Sequence, residues 1–152
     1  MTLKLSDFSL PITSDKTLCL DDLMGHFTIV YFYPKDSTPG CTLEGQDFRD
    51  HFDAFKSLGA EIYGVSRDSL KSHENFKCKQ NFPFELIADQ TETLCKMFDV
   101  IKLKNMYGKE VMGIERSTFI IDPEGKIAAE WRKVSVKGHV LEVLEKLKSL
   151  AS

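Results

Sequence analysis

One cysteine of this sequence stands where a nucleophile would be expected. Cys41 follows the turn-rich segment 35–40, which itself follows the apolar run 26–33. This order predicts a buried strand, a tight loop and then a helix whose first turn carries Cys41. The unpaired N–H groups of a first helical turn stabilise an anion, and a free thiol, with a pKa near ~8.5, needs such help to ionise at neutral pH. The setting predicts a reactive thiolate, although a small buried residue at a helix start would give the same spacing.

A nearby hydroxyl could assist such a thiolate. Thr38 lies three residues before Cys41, and its hydroxyl can donate to the sulfur or to a bound oxygen.

The elements that would position these residues alternate between strand and helix patterns. Strands are predicted at 26–33, 60–66, 84–88, 115–121 and 126–132, with helices at 41–58, 68–80, 91–98 and 137–150. A further hairpin is expected around 8–10 and 17–20. The order predicts an α/β fold with a mixed central sheet, helices on both of its faces and an N-terminal hairpin extension.

The composition is that of an ordinary globular protein. The chain has 152 residues, of which 42% are hydrophobic and 28% charged, and residues 1–152 are expected to form a single domain. The net charge is -3 and no extended basic run is present, so neither nucleic acid nor an anionic membrane is an expected partner. No window approaches the ~20 apolar residues of a membrane span, and the N-terminal residues do not resemble a secretory signal. A cytoplasmic location is therefore expected.

The four cysteines are spread along the chain as Cys19, Cys41, Cys78 and Cys95. Their spacings match neither a zinc site nor a Cys-x-x-Cys pair, so no metal or cofactor is expected. A thiol–disulfide oxidoreductase typically uses a Cys-x-x-Cys pair, and its absence disfavours that function. Cys19 and Cys95 lie among apolar residues and are expected to be buried and structural.

Three residues of the segment around Cys41 match a known motif. Pro34, Thr38 and Cys41 together fit the Pro-x-x-x-Thr-x-x-Cys motif of peroxiredoxins. The fuller Thr-Pro-Gly-Cys-Thr sequence and the segment 113–119 (GIERSTF) resemble the Q-type group, also called bacterioferritin comigratory proteins. The resemblance extends from about Asp7 to the last helix. It implies a thioredoxin-like three-layer sandwich that reduces hydrogen peroxide or organic hydroperoxides.

The resemblance also implies a role for each matching residue. Cys41 would be the peroxidatic cysteine, which the peroxide oxidises to a sulfenic acid. Thr38 would hydrogen-bond the peroxide oxygens, and Pro34 would shield the pocket from water. Arg116 would hold the thiolate and polarise the peroxide, and Glu44 would orient this arginine. Arginine keeps its proton at any working pH, which suits a permanent hydrogen-bond donor. Without the resemblance, Arg116 could equally be a strand arginine that pairs with a surface carboxylate.

A second thiol could resolve the sulfenic acid. Many Q-type members carry it five residues after the first cysteine, where this chain has Gln46. Cys78, 37 residues after Cys41, resembles the other arrangement, in which that cysteine lies on the following helix. A disulfide needs Cα atoms within roughly 7 Å, so both helices would have to unwind locally. Cys78 could instead be an unpaired helical thiol, and an external thiol would then resolve Cys41.

The remaining expectations concern partners and other residues. The resemblance implies recycling by thioredoxin or a similar thiol reductant. No apolar surface stripe indicates a dimer, so a monomer is expected. The four histidines belong to no catalytic motif and are expected at the surface or in caps, while residues 107–109 are expected to form a loop near the site. A non-catalytic binding or chaperone-like module on the same fold is the alternative of another class.

Overall fold

A central sheet runs through the computed structural model of this protein, which describes residues 5–152. The strands are β1 Ser9–Ile12, β2 Lys16–Cys19, β3 Thr28–Phe32, β4 Glu61–Ser66, β5 Glu85–Ala88, β6 Ile101–Met106, β7 Lys109–Ile114, β8 Ser117–Ile121 and β9 Ile127–Trp131. Seven of them form one sheet in the order β2-β1-β5-β4-β3-β8-β9, and β6 pairs with β7 in a separate ribbon.

The helices connect the strands and cover the sheet. They are α1 Pro39–Asp50, α2 Phe52–Ser57, α3 Leu70–Gln80, α4 Thr93–Met97 and α5 His139–Ala151, with a short 3-10 helix at Leu20–Leu23. Within residues 5–152 there is no helix long and apolar enough to cross a membrane.

The sheet is mixed and has an apolar core on each face. β3 runs parallel to β4 and β4 parallel to β5, whereas β8 is antiparallel to β3. Because successive strand residues point to opposite faces, Val30 and Phe32 enter one core, while Ile29 and Tyr31 enter the other. The first core includes Leu94 of α4, and the second is covered by α1, α2, α3 and α5. This architecture confirms the predicted α/β sandwich.

The predicted N-terminal hairpin is present and extends the sheet. β1 and β2 pair antiparallel from Ser9 opposite Cys19 to Ile12 opposite Lys16. Ile12 also pairs with Ile87 of β5, so the hairpin is joined to the main sheet at its edge.

The sequence analysis missed the β6–β7 ribbon and expected only a loop at residues 107–109. Tyr107 and Gly108 form the turn of this ribbon, with φ values of 54° and 79°, and Lys109 already begins β7. Two consecutive positive φ values suit a tight hairpin turn, in which glycine carries no steric cost. The alternation of apolar and polar residues in 101–104 (IKLK) was the signal for the first strand.

The helix predicted at 41–58 is interrupted. His51 adopts a non-helical backbone conformation between α1 and α2, where it caps both helices. The apolar spacing continues across this break, since Phe48 and Phe55 enter the same core. Periodicity alone therefore could not reveal the interruption.

Candidate active site

Cys41 lies in the first turn of α1. Pro39 is the first helical residue, and Thr38 precedes it with an extended backbone whose carbonyl accepts a hydrogen bond from the Thr42 N–H at 2.8 Å. The helix begins two residues earlier than predicted because the fixed φ of proline suits the first helical position. Cys41 is therefore the third helical residue, and it is only 1% exposed. It remains in the turn whose N–H groups lack helical partners.

Arg116 lies between β7 and β8, and its guanidinium bridges two residues of α1. Nη2 donates to Sγ of Cys41 at 3.3 Å, and Nη1 donates to Oε1 of Glu44 at 2.6 Å. Sheet order explains how residues 75 positions apart meet, since β8 lies directly beside β3, the strand that leads to α1. The structure thus brings together three of the residues singled out in the sequence.

Glu44 is buried, and only one of its oxygens has a partner. Oε2 accepts no hydrogen bond from the described residues, whereas Oε1 accepts from Arg116. Burial raises the pKa of Glu44 to about 7, and the Arg116 guanidinium acts in the opposite direction. Burial by itself would lower the pKa of Arg116, but Glu44 and Cys41 outweigh it and the pKa is raised overall. A permanent cation therefore faces both the sulfur and a carboxyl group that titrates near neutral pH.

The loop before Cys41 holds the other two motif residues. The Thr38 hydroxyl donates to the carbonyl oxygen of Lys35 at 2.8 Å, so its proton is engaged within the loop and its oxygen lone pairs are left to accept. Pro34 is half-buried just beyond the end of β3. Gly40 lies close to the guanidinium, since a Cβ at this position would stand 3.2 Å from Nη2 of Arg116.

All four cysteines carry free thiols. Cys78 lies on α3 as predicted, but it is exposed and makes no bond to Cys41. Cys95 is buried, and burial raises the pKa of its thiol well above the ordinary value, in line with a structural role. The prediction for Cys19 was wrong in one respect, because this last residue of β2 is only half-buried.

Two residues near Cys41 escaped the sequence analysis. Burial raises the pKa of Tyr31, and the charges of Glu44 and Cys41 act in the same direction. Its hydroxyl is buried and has no partner among the described residues. Burial and the charge of Arg116 lower the pKa of Lys104 on β6, while Cys41 acts against that shift. Both sites depend on strand order, and Lys104 also on a ribbon that the sequence analysis did not predict.

Asp36, in the same loop as Thr38, is the centre of a buried polar network. Tyr33 donates its hydroxyl to Oδ1 of Asp36 at 2.6 Å, and Ser72 donates its hydroxyl to Oδ2 at 2.8 Å. Nδ1 of His73 lies 2.7 Å from the same Oδ2. The network therefore connects the loop before α1 with β3 and with the first turns of α3.

Part of this network has the residue types of a metal site. Ligand atoms of Asp36, Asp68 and His73 lie within 4.8 Å of one another. Their oxygens, however, already accept hydrogen bonds from protein groups, including the backbone N–H of Asp36, which donates to Oδ2 of Asp68 at 2.9 Å. Protein donors satisfy the cluster, and we assign no metal to it.

Two histidines contradict the expectation of surface or capping positions. His73 is fully buried, three residues before the buried Phe76 on the inner side of α3. His139 is buried at the start of α5, with Nε2 at 2.7 Å from the hydroxyl oxygen of Thr118. Burial lowers the pKa of His139 to about 4, and the charge of Glu142 acts against this shift.

Comparison with known proteins gives consistent matches over nearly the whole chain. The sequence model of the AhpC/TSA family matches residues 2–130. Peroxiredoxin Bcp of Xanthomonas campestris pv. campestris is 54% identical over 145 residues, which cover 95% of this chain and 91% of that protein. Peroxiredoxin Bcp of Bacillus subtilis is 51% identical over 148 residues, which cover 97% and 94%.

Solved structures agree with these relatives. The bacterioferritin comigratory protein of Xanthomonas campestris, solved as trapped intermediate and ligand complexes in a study of its alkyl peroxide reduction, superposes with a TM-score of 0.91. It is 53% identical, and the match covers 95% of this chain and 92% of that one. Two further structures of peroxiredoxin Q from this organism are cysteine-to-serine mutants at positions 48 and 84 of that chain, which lie 36 residues apart.

Proposed function

This chain belongs to the AhpC/TSA family and is a thiol-dependent peroxidase of the peroxiredoxin type with a thioredoxin-like fold, and on that premise we propose that Cys41 is the thiol that attacks the hydroperoxide. One observation carries this assignment. A guanidinium donates to Sγ of Cys41 at 3.3 Å, in the first turn of a helix. No comparable cationic donor contacts Cys19, Cys78 or Cys95 among the described residues.

The chemistry follows from the groups around the sulfur. The Cys41 thiolate attacks one oxygen of the substrate, an S–O bond forms and the O–O bond breaks. The departing oxygen takes up a proton and leaves as water or an alcohol, while Cys41 becomes a sulfenic acid. Negative charge moves from the sulfur to the departing oxygen, and the fixed guanidinium of Arg116 stabilises that charge better than mobile water would.

Thr38, Pro34 and Glu44 support this step. The Thr38 hydroxyl donates its hydrogen bond to the carbonyl oxygen of Lys35, so its own oxygen can accept the hydrogen bond that a hydroperoxide donates. Pro34 limits the access of water to the sulfur from the end of β3. Glu44 fixes the direction of the guanidinium through its 2.6 Å hydrogen bond, which makes it a positioning residue.

The substrates that we propose are hydrogen peroxide and organic hydroperoxides. Support comes from the Xanthomonas relative, which was studied for alkyl peroxide reduction and is 53% identical to this chain. Comparing the rates of this protein with hydrogen peroxide and with an alkyl hydroperoxide in rapid-mixing experiments tests the proposal directly.

We further propose that Cys78 resolves the sulfenic acid. Its thiol would displace hydroxide from the sulfur of Cys41, so that a disulfide and water form, and a dithiol reductant such as thioredoxin would restore both thiols. The spacing of 37 residues between Cys41 and Cys78 is close to the 36 residues between the two cysteines substituted in the Xanthomonas structures. An offset of one residue corresponds to a rotation of about 100° around a helix.

Disulfide mapping separates this route from a one-cysteine mechanism. The wild-type protein and the variants Cys78→Ser and Cys95→Ser are treated with one equivalent of peroxide, and their peptides are analysed by mass spectrometry. We expect a Cys41–Cys78 peptide in the wild type and in Cys95→Ser, and a persistent sulfenic acid in Cys78→Ser. A wild-type protein that keeps the sulfenic acid would instead require an external thiol.

The catalytic assignment has its own test. Cys41→Ser should lose peroxide consumption completely, whereas Cys95→Ser should retain it, because only the first variant removes the attacking sulfur. Undiminished turnover in Cys41→Ser would contradict the assignment and leave a binding or chaperone-like role. Reduction of insulin disulfides faster than peroxide is consumed would favour a thiol–disulfide oxidoreductase.

Three coarser properties complete the proposal. We propose that residues 1–152 act as a single domain, that the protein is a monomer and that it works in the cytoplasm. The single domain is supported by a sheet whose strands extend from residue 9 to residue 131. The cytoplasmic location is supported by four free thiols, which a reducing compartment maintains. Light scattering of the purified chain tests the monomer, and fractionation of the source cells tests the location.

A further inference from the structure

A buried pair of side chains links the loop before Cys41 to α3. The side chains of Asp36 and His73 are 3% and 0% exposed, and Nδ1 of His73 lies 2.7 Å from Oδ2 of Asp36. Asp36 belongs to the segment that joins β3 to α1, whereas His73 lies near the start of α3. The peroxidatic mechanism uses neither residue, so their pairing needs another explanation.

The hydrogen-bond partners of His73 occupy both of its ring nitrogens. Nε2 lies 2.9 Å from the carbonyl oxygen of Ile87, which can only accept, so Nε2 donates. Nδ1 shares one hydrogen with Oδ2 of Asp36, and the contact is an ion pair when the ring is protonated. Asp36 also accepts from Tyr33 and Ser72, so protein groups engage both of its oxygens.

The connection between the loop and α3 does not rest on this contact alone. Ser72, in the first turn of α3, donates to Asp36 at 2.8 Å, and the Asp36 N–H donates to Asp68, just before α3, at 2.9 Å. Displacing one segment while the other stays in place would leave the buried polar groups of the second without partners, which is unfavourable. The loop and the first turns of α3 therefore hold each other in place, and displacement of either one releases the other.

Cys78 must move before it can reach Cys41. It lies five residues after His73, or about 140° around the helix, and is exposed while His73 is buried. Cys41 is buried beneath the Arg116 guanidinium. A disulfide between them thus requires displacement of α3 and of the first turn of α1.

We propose that the buried, hydrogen-bonded Asp36–His73 pair couples these two movements, so that α3 and the loop that positions Thr38 and Cys41 open together when the sulfenic acid is resolved. This inference rests on the proposed role of Cys78. The pair would hold the site closed for attack on the peroxide and would separate during disulfide formation. Asp36 and His73 are positioning residues in this scheme, because neither touches the peroxide.

Nitrogen NMR of the histidine rings tests this pairing without any measurement of activity. In the reduced protein, the Nε2 proton of His73 should exchange slowly with water, because the ring is buried and this nitrogen donates to the carbonyl oxygen of Ile87. In the peroxide-oxidised disulfide form, this protection should be lost. Fast exchange in the reduced protein, or unchanged protection after disulfide formation, would overturn the proposal.

Rate measurements on variants test the coupling. His73→Gln leaves Asp36 unpaired and could fail to fold, so the double variant Asp36→Asn/His73→Gln, which buries no charge, is measured beside it. We expect the rate constant for peroxide attack to fall about tenfold and that for disulfide formation to rise about tenfold. His26→Gln changes a histidine that precedes β3, at the opposite end of this strand from the loop, and should change both rate constants by less than about twofold.

Amide hydrogen exchange separates a failure of this proposal from a failure of the resolving assignment. In the reduced double variant, exchange in segments 35–38 and 70–80 should increase together by about tenfold, while 139–151 stays unchanged. An increase in only one of the first two segments, or in all three, would overturn the coupling. Absence of the Cys41–Cys78 peptide would exclude Cys78 as the resolving thiol. The exchange results would still show whether the Asp36–His73 pair holds the loop and α3 together.

Discussion

At the scale of single residues, the site depends on one guanidinium that does two things. Arg116 donates through Nη2 to the sulfur of Cys41 and through Nη1 to the carboxylate of Glu44. The second bond restrains the direction of the first, since a planar guanidinium cannot rotate one nitrogen without the other. Both the charge and the geometry of the arginine are therefore required.

Arg116→Lys keeps the charge but removes this geometry. A lysine ammonium is a single point of donation and cannot bridge Cys41 and Glu44 in the same fixed plane. We expect the second-order rate constant for hydrogen peroxide, measured by rapid mixing, to fall about 100-fold, as after loss of a fixed transition-state donor. The control is Arg132→Lys, because Arg132 follows β9, which lies on the other side of β8 from β3. This variant should react at the wild-type rate. Wild-type rates in Arg116→Lys would show that the charge alone is sufficient.

The role of Thr38 as a hydrogen-bond acceptor can be tested separately, because its hydroxyl already donates to the carbonyl oxygen of Lys35. Thr38→Val keeps the β-branched shape but removes the oxygen that would accept from the peroxide, so the rate with hydrogen peroxide should fall about 10- to 100-fold. Thr38→Ser should recover most of that rate. Alkylation of Cys41 by iodoacetamide, which donates no such proton from its reacting centre, should differ little among the three proteins. An equal loss of alkylation in Thr38→Val would mean that the residue only supports the loop.

Site residues that are close in sequence could be predicted, whereas those that meet only in the folded structure could not be predicted from spacing. Thr38 and Cys41 are close in sequence, so their types and spacing were sufficient to select them, whereas Pro34 was selected through the resemblance. Arg116 was selected through the resemblance, because its approach to Cys41 depends on β8 lying beside β3. The Asp36–His73 pair was missed for the same reason, since it joins residues 37 positions apart.

At the scale of elements, strands with apolar runs or strong turns were found from sequence. The hairpin of β8 and β9 encloses the turn at Asp122, whose Oδ1 accepts hydrogen bonds from the N–H groups of Glu124 and Lys126 at 2.9 Å. The β6–β7 ribbon was missed because it lies outside the main sheet and is largely exposed, so its apolar alternation is weak. Tertiary position, rather than local propensity, defines that element.

The packing of α1 against the residues after α3 gives a prediction for elements. Gly45 faces the ring of Phe82, and a Cβ at this position would overlap that ring. Phe82 is itself held between Phe76 and Phe84, with ring centroids 5.0 Å from each, so it cannot move aside easily. Gly45→Ala gains up to about 1 kcal/mol of helix propensity but suffers overpacking of about 1–3 kcal/mol. We expect a net loss of about 1 kcal/mol in the free energy of unfolding, measured in urea.

A second substitution provides the control for that prediction. Phe82→Leu makes room for the new methyl group, so the double variant Gly45→Ala/Phe82→Leu should lose less stability than the sum of the two single variants. A Gly45→Ala protein more stable than the wild type would mean that the ring yields and that helix propensity dominates.

At the scale of the whole molecule, a buried carboxyl group of α1 and a buried histidine of α5 have opposite effects on stability as the pH changes. Burial raises the pKa of Glu44 from 4.5 to about 7, so its contribution to stability is fully present below pH 4.5 and is lost as the pH rises through about 7. Burial lowers the pKa of His139 from 6.5 to about 4, so its contribution is fully present above pH 6.5 and is lost as the pH falls through about 4.

Between pH 4.5 and 6.5 these two contributions have opposite slopes, each of at most about 1.4 kcal/mol per pH unit, so they largely cancel in the wild type. Glu44→Gln removes the falling contribution, and its free energy of unfolding should therefore rise more steeply with pH than that of the wild type. His139→Gln removes the rising contribution, and its curve should fall with pH relative to the wild type. Urea unfolding at pH 4.5, 5.5 and 6.5 measures both slopes, with Glu145→Gln as an exposed carboxyl control that should run parallel to the wild type. A Glu44→Gln curve parallel to the wild type would mean that Glu44 stays ionised throughout, because Arg116 would then outweigh burial.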